Sequence, residues 1–139
     1  MPDQEDKGES FCRRILCIDN DWDLLNLEKL ILETAGYEVL LANDGAEGMN
    51  LVKGGRVDLV VLTAEMPRMA GTELAERLRT TQPALPIIMV AGVAVPKRST
   101  KTADRYIPKA KMVMTLGREV NRLLDNKRAL STPMTLLNE

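Results

Sequence analysis

Short, nearly continuous apolar runs alternate along this chain with longer stretches in which apolar residues recur at helical spacing. This is the pattern of successive strand–helix units: a parallel strand covered on both faces needs no polar side, while a helix lying on the sheet needs only one apolar stripe. The run 15–18 predicts a first strand. Asn20 or Asp21 can cap the helix that follows, where Leu24, Leu27, Ile31 and Ala35 make the inward stripe and Gly36 suits the left-handed position that ends it. Residues 37–42 predict a second strand. Asp44 followed by Glu47 predicts a capping box for a short second helix that stops at Gly54 and Gly55. Residues 57–62 are apolar except for Asp58 and predict a central strand ending at Thr63. A third helix over 72–81 turns Leu74 and Leu78 inward and stops before Pro83, and 86–91 predict strand four. From Gly92 to Asp104 the residues are small, basic or hydroxylated, so the fourth helix is expected to be shortened or irregular. Tyr106 and Ile107 supply a brief fifth strand. The final helix places Met112, Leu116, Val120 and Leu123 on one stripe and fades after Arg128.

Right-handed crossovers through five such units give an α/β fold: a flavodoxin-like, doubly wound, five-stranded parallel sheet in a three-layer α/β/α sandwich. Residues 11–128 are expected to form this single domain, with 1–10 a disordered N-terminal arm and 129–139 a flexible tail. In such a sheet, ligands and chemistry sit at the carboxyl ends of the strands. Those ends carry Asp19 and Asn20, Thr63, Ala91 and Lys109, which converge if the fold is right.

Composition narrows the picture without changing it. With 139 residues, 45% hydrophobic and 28% charged, the chain has the balance of one ordinary globular domain. No run approaches the roughly eighteen apolar residues of a membrane span, and the acidic N-terminus is unlike a secretory signal, so a cytoplasmic location and no membrane partner are expected. The net charge of −1 gives no general affinity for nucleic acid, and the short cluster Lys97, Arg98 and Lys101 reads as a solvated loop. Cys12 and Cys17 could pair. Cys17 lies inside an apolar run, however, where a free buried thiol is the simpler reading.

Several motifs in this order and spacing resemble a response-regulator receiver (CheY-like) domain of two-component signalling, from about residue 13 to 124. They are Ile15-Leu16-Cys17-Ile18-Asp19-Asn20-Asp21, Ala35-Gly36-Tyr37-Glu38-Val39, Asn43-Asp44-Gly45-Ala46-Glu47-Gly48, 58–67 with Gly71, Pro86-Ile87-Ile88-Met89-Val90, and 103–109. The resemblance implies a phosphoryl group carried from a kinase histidine to an aspartate after strand three, with Mg²⁺ held by paired acidic residues after strand one. It also implies a Thr or Ser after strand four and an aromatic on strand five that follow the phosphoryl group, and a lysine after strand five that binds it.

This sequence departs from that pattern at most of those places. The acceptor position is Thr63, whose hydroxyl needs a general base where a carboxylate does not, and the chain has no histidine. Asp19 is the only retained family metal ligand. Asn20 replaces the second carboxylate with an amide, so Mg²⁺ binding is expected to be weak or absent. Ala91 removes the phosphate-following hydroxyl, while Tyr106 keeps the switch aromatic and Lys109 the lysine. Ala110 stands where the resemblance implies a proline, so no cis peptide is expected there. The survivors also have plain structural readings. Asp19 would pair with Lys109 to hold two loops, Lys109 beside Asp19 or Glu65 would be a plain ion pair, Glu65 would be solvated loop decoration rather than an internal phosphate mimic, and Tyr106 a half-buried strand residue.

The expected function is therefore that of a stand-alone, degenerate receiver, a pseudo-receiver acting as a phosphorylation-independent interaction module. It would not be an enzyme and would have no catalytic residue. No length after Arg128 is left in this sequence for an output domain, so output is expected by docking to a signalling protein, a histidine kinase or a downstream effector, with a homodimer also allowed. The alternative is a phosphoryl-accepting receiver in which Asp19, Asp21 or Glu65 is an unusual acceptor stabilised by Lys109. Phosphorylation of Thr63 by a Ser/Thr kinase is disfavoured by its buried strand-end position, and a small-ligand site by the lack of a Gly-rich loop after strand one.

Overall fold

The computed structural model describes residues 12–92 and 102–130. Five parallel strands are present: β1 (Arg14–Ile18), β2 (Glu38–Ala42), β3 (Leu59–Thr63), β4 (Ile87–Ala91) and β5 (Arg105–Pro108). They are joined through helices α1 (Trp22–Thr34), α2 (Gly45–Gly54) and α3 (Gly71–Thr81), and a 3-10 turn (Lys109–Lys111) leads into the last helix, α4 (Met112–Leu130). The strand order is 2-1-3-4-5, which places β3 at the centre and reverses direction across β1 and β3. The segment expected to hold a shortened helix after β4 lies mostly outside the described residues, as do the basic cluster at 97–101 and the two chain ends. The last helix runs to Leu130, two residues beyond the expected boundary.

The period of two along each strand divides the core between the faces. Ile15, Cys17, Leu59, Val61, Ile88 and Val90 pack with Leu25 and Leu32 of α1 and with Met112, Leu116 and Val120 of α4. The alternate residues Leu16, Ile18, Val60, Leu62, Ile87 and Met89 pack with Val52 of α2 and with Leu74 and Leu78 of α3. All five residues of β3 and of β4 are buried, as strands covered from both sides must be. Asp58, the polar break before β3, has its own task. Its N–H donates to the Arg14 carbonyl at 2.8 Å and its carboxylate accepts the Arg14 N–H at 2.7 Å, which fixes the register of β1 against β3.

Helix ends follow the local chemistry with small corrections. Asp21, not Asn20, caps α1, accepting the N–H groups of Asp23 and Leu24, and Gly36 beyond its end has a φ of 100°. At α2 the Asp44 carboxylate accepts the Glu47 N–H, but Glu47 returns its hydrogen bond to the Asn43 N–H at 2.9 Å rather than to Asp44. On the far side of the sheet, Arg79 of α3 donates to the carbonyls of Pro83, Leu85 and Thr102 and to the Asp104 carboxylate. Asp104 in turn accepts the Ile87 N–H at 2.8 Å. Arg79 therefore ties α3 to the starts of β4 and β5.

The inward stripe of α1 differs from the expected one. Leu25, Glu28 and Leu32 are buried, while Leu24, Leu27 and Ile31 flank the core half-buried and Ala35 is exposed. The helix touches β1, β2 and α4 together, so its covered arc is wide. A carboxylic acid in the middle of that arc concealed its true centre. Glu28 is only 2% exposed, and its Oε1 has no hydrogen-bond partner. Burial, reinforced by the charge of Asp19, raises its pKa from an ordinary 4.5 to about 8, against the opposing pull of the Cys17 hydrogen bond and Lys109. Cys12 and Cys17 are both free thiols, and burial pushes that of Cys17 well above its ordinary range.

Two stability predictions follow from this packing. A folded state that keeps the Glu28 proton, while the unfolded chain releases it, is favoured fully below about pH 4.5. That advantage is lost as pH rises through about 8. The urea midpoint should therefore fall from pH 5 to 8, with a contribution of at most ~1.4 kcal/mol per pH unit, and Glu28→Gln should flatten that segment. At the start of α3, a Cβ on Gly71 would collide with the Thr63 carbonyl oxygen and lie 2.7 Å from the Ala64 Cα. Neither is a flexible side-chain end, so Gly71→Ala should cost about 2 kcal/mol or more in urea unfolding.

Candidate functional site

The carboxyl ends of β1, β3, β4 and β5 bring the expected residues to one edge of the sheet. Asp19 follows β1 directly. By the period of two it shares the face of Ile15 and Cys17, the face covered by α1, and its charge acts on Glu28 of that helix. Its Oδ1 accepts the Asp21 N–H at 2.9 Å, and its Oδ2 is buried without a partner. Burial is the largest influence on its acidity and raises its pKa, while the Asp21 N–H and the Lys109 charge act to lower it. Asn20 is exposed, and its backbone carbonyl accepts from the Asn43 side chain at 3.3 Å.

Thr63 ends β3 with 1% of its surface exposed, and its neighbour across the sheet is Val90. Its hydroxyl oxygen accepts the Glu65 N–H at 3.4 Å. The following loop is pinned from both sides: the Ala64 N–H donates to the Val90 carbonyl at 2.8 Å and the Gly71 N–H to the Ala64 carbonyl at 3.0 Å. Ala91 is buried at the end of β4 and offers a methyl group. Tyr106 is half-buried on β5, packed against the α2–α3 side of the core. The described residues contain no cis peptide, so the bond from Lys109 to Ala110 is trans.

Lys109 does not pair with Asp19 as expected. Its ammonium lies 3.7 Å from Glu65 Oε1, and its effect on Asp19 is through space without a direct ion pair. The reason is reach: Glu65 extends from the β3–α3 loop across the ends of β4 and β5, whereas Asp19 is drawn under α1. Both Glu65 oxygens also accept the Gly92 N–H, at 3.2 and 3.1 Å. Glu65 therefore bridges three strand ends while its side chain stays 44% exposed. Sequence reasoning missed Glu28 and Gly92 altogether. A charged residue between Leu25 and Leu32 was the available signal for Glu28, while a backbone N–H such as that of Gly92 leaves none.

A cavity of about 370 Å³ opens beside this edge, bordered by Asn20, Asp44, Met66 and Arg68. Of the strand-end residues only Asn20 lines it; Thr63, Ala91 and Lys109 do not. Among the described residues, no three His, Cys, Asp or Glu side chains are placed to hold a metal ion. No helix there is long and apolar enough to cross a membrane.

Comparison with known proteins matches residues 15–116 to the response regulator receiver domain. The chain is 36% identical over 115 residues to the response regulator MprA of Mycobacterium leprae, covering 80% of this chain and 50% of that protein. A Mycobacterium sp. relative of the same name is 39% identical over 100 residues, covering 69% of this chain and 44% of that protein. The chain thus spans about half the length of the curated relatives it matches. Among solved structures, a CheY-like receiver domain from Methanospirillum hungatei superposes with a TM-score of 0.80 at 32% identity, covering 84% of this chain and 97% of that one. The Thermotoga maritima response regulator TrrA, solved in complex with Mg²⁺-BeF, superposes with a TM-score of 0.75 at 31% identity, covering 80% and 98%. Strand order and these likenesses agree: the chain belongs to the response regulator receiver domain family of two-component signalling.

Proposed function

We propose that this receiver is a degenerate one: a non-enzymatic protein-interaction module whose action in two-component signalling does not depend on phosphorylation of its strand-end pocket. The observation that carries this reading is the buried Thr63 hydroxyl at the end of the central strand, where the resemblance implies an aspartate. An aspartate attacks as its carboxylate, whereas a threonine hydroxyl must first give up a proton to a base. The chain has no histidine. Of the nearby carboxylates, Glu65 is engaged by Gly92 and Lys109, and Asp19 accepts the Asp21 N–H with one oxygen while the other is enclosed.

The residues present do not fit the Mg²⁺ that the family resemblance implies. That ion takes a near-octahedral shell of hard, charged oxygens, and this edge offers the Asp19 carboxylate, an exposed amide at Asn20 and a hydroxyl at Thr63. In this reading Mg²⁺ binding is weak or absent and no step runs through the metal. Ala91 supplies no hydroxyl to follow a phosphoryl oxygen, so the coupling that the resemblance implies for Tyr106 lacks its donor. Output then comes from docking to a signalling protein, a histidine kinase or a downstream effector, in the cytoplasm. An unusual acceptor is less well supported: the Asp21 carboxylate is spent capping α1, and Asp19 is 2% exposed.

Incubation with a small acyl-phosphate donor and Mg²⁺, followed by intact-mass measurement, tests the proposal. The wild-type protein should keep its mass. A hydroxylamine-labile phosphoryl adduct on it would overturn the reading. Thr63→Asp alone should also stay largely unlabelled, because Asn20 and Ala91 still lack the metal-binding carboxylate and the hydroxyl. Strong Mg²⁺-dependent labelling of that variant would show that Thr63 is an isolated change and not part of a concerted loss.

A further inference from the structure

The Gly92 N–H and the Lys109 ammonium point at one spot from the ends of two different strands. A Cβ placed on Gly92 would lie 3.5 Å from Glu65 Oε1 and 3.8 Å from Lys109 Nζ, so all three groups meet around this glycine. An N–H donor beside an ammonium is a small cradle for an oxyanion, since both contribute positive potential and can donate a hydrogen bond. Glu65 fills it with both carboxylate oxygens on the one N–H.

A drifting surface ion pair would explain the Lys109 contact alone, because both side chains are partly exposed, 36% and 44%, and such pairs contribute little. It would not explain a carboxylate reaching 27 residues along the chain to a backbone N–H with both oxygens. Nor would it explain why the loop carrying Glu65 is itself fixed. Thr63 Oγ1 accepts the Glu65 N–H, and the Ala64 and Gly71 N–H groups are both bonded, so the side chain starts from a held backbone.

We propose that Glu65 is a built-in anionic ligand: its carboxylate occupies an oxyanion cradle formed by the Gly92 N–H and Lys109, holding the β3–α3 loop closed on the ends of β4 and β5 without any bound anion. The chain thereby supplies in cis the negative charge that would otherwise arrive from outside. Free inorganic phosphate is excluded from the cradle by occupancy, because an intramolecular carboxylate competes at a high effective concentration. The inference deepens the phosphorylation-independent reading but is separately testable. Donor labelling decides that reading, and the behaviour of one backbone amide decides this one.

The test follows the Gly92 amide by NMR in the full chain, comparing wild type with Glu65→Ala and Glu65→Gln, with inorganic phosphate as the probe and sodium chloride matching ionic strength. In the wild type the amide should be protected and unmoved by phosphate. In Glu65→Ala it should exchange about tenfold faster and show a saturable phosphate-dependent shift, as expected when one charge-assisted hydrogen bond is lost and the site opens. Glu65→Gln, which keeps an acceptor but loses the charge, should fall between the two. Adding Lys109→Ala to Glu65→Ala should abolish the phosphate response. Equal amide exchange in wild type and Glu65→Ala, or a phosphate shift no larger in the variant than in the wild type, would overturn the proposal. A dispersed, native-like spectrum of each variant separates these outcomes from unfolding.

Discussion

Burial of the central strand on both faces is the constraint from which the rest of this structure follows. With Leu59, Val60, Val61, Leu62 and Thr63 all enclosed, β3 can be covered only by helices packed on each side of the sheet, and the parallel connections that place those helices gather every strand's carboxyl end at one edge. The same enclosure determines what the last residue of the strand can do. A threonine there is shielded from water, and its hydroxyl oxygen accepts the Glu65 N–H.

A second consequence of enclosure is the polar cost under α1. Glu28 and Asp19 share the face of the sheet that holds Cys17, and each retains a buried oxygen without a partner. Two carboxyl groups so placed cannot both be charged at low cost: burial raises the pKa of each, and the charge of Asp19 raises that of Glu28 further. Lys109 lies near enough to moderate it, but its direct contact is Glu65. The strand-end charges are therefore divided between two sets: a buried acidic pair beneath α1, and an outward tie that joins the β3–α3 loop to the ends of β4 and β5.

Much of the fold was legible in the sequence because its signals are local. Apolar runs located β1, β3 and β4 to within a few residues, the Asp44 cap and Gly36 marked helix ends, and the stripe Met112, Leu116, Val120 and Leu123 predicted the buried side of α4. The inward face of α1 was misjudged by about one residue of rotation, since its centre is a glutamic acid and periodicity counts only apolar side chains. The candidate site was legible as a set of strand-end residues, and Asp19, Asn20, Thr63, Ala91 and Lys109 do stand at that edge. Their partners were not legible. Which of two acids Lys109 meets depends on the path of a loop, and Gly92 contributes a backbone N–H that any residue but proline would also carry.

The sequence alone determined the order of elements, the family pattern and the presence of a threonine where the resemblance implies an aspartate, because these are properties of residue identity and spacing. Tertiary structure alone decided that Glu28 is buried, that Lys109 pairs directly with Glu65 and not with Asp19, and that Glu65 spans three strand ends. The physical reason is that electrostatic partnership depends on distance through space and on exclusion of water, and both are fixed only when segments far apart in the chain pack together.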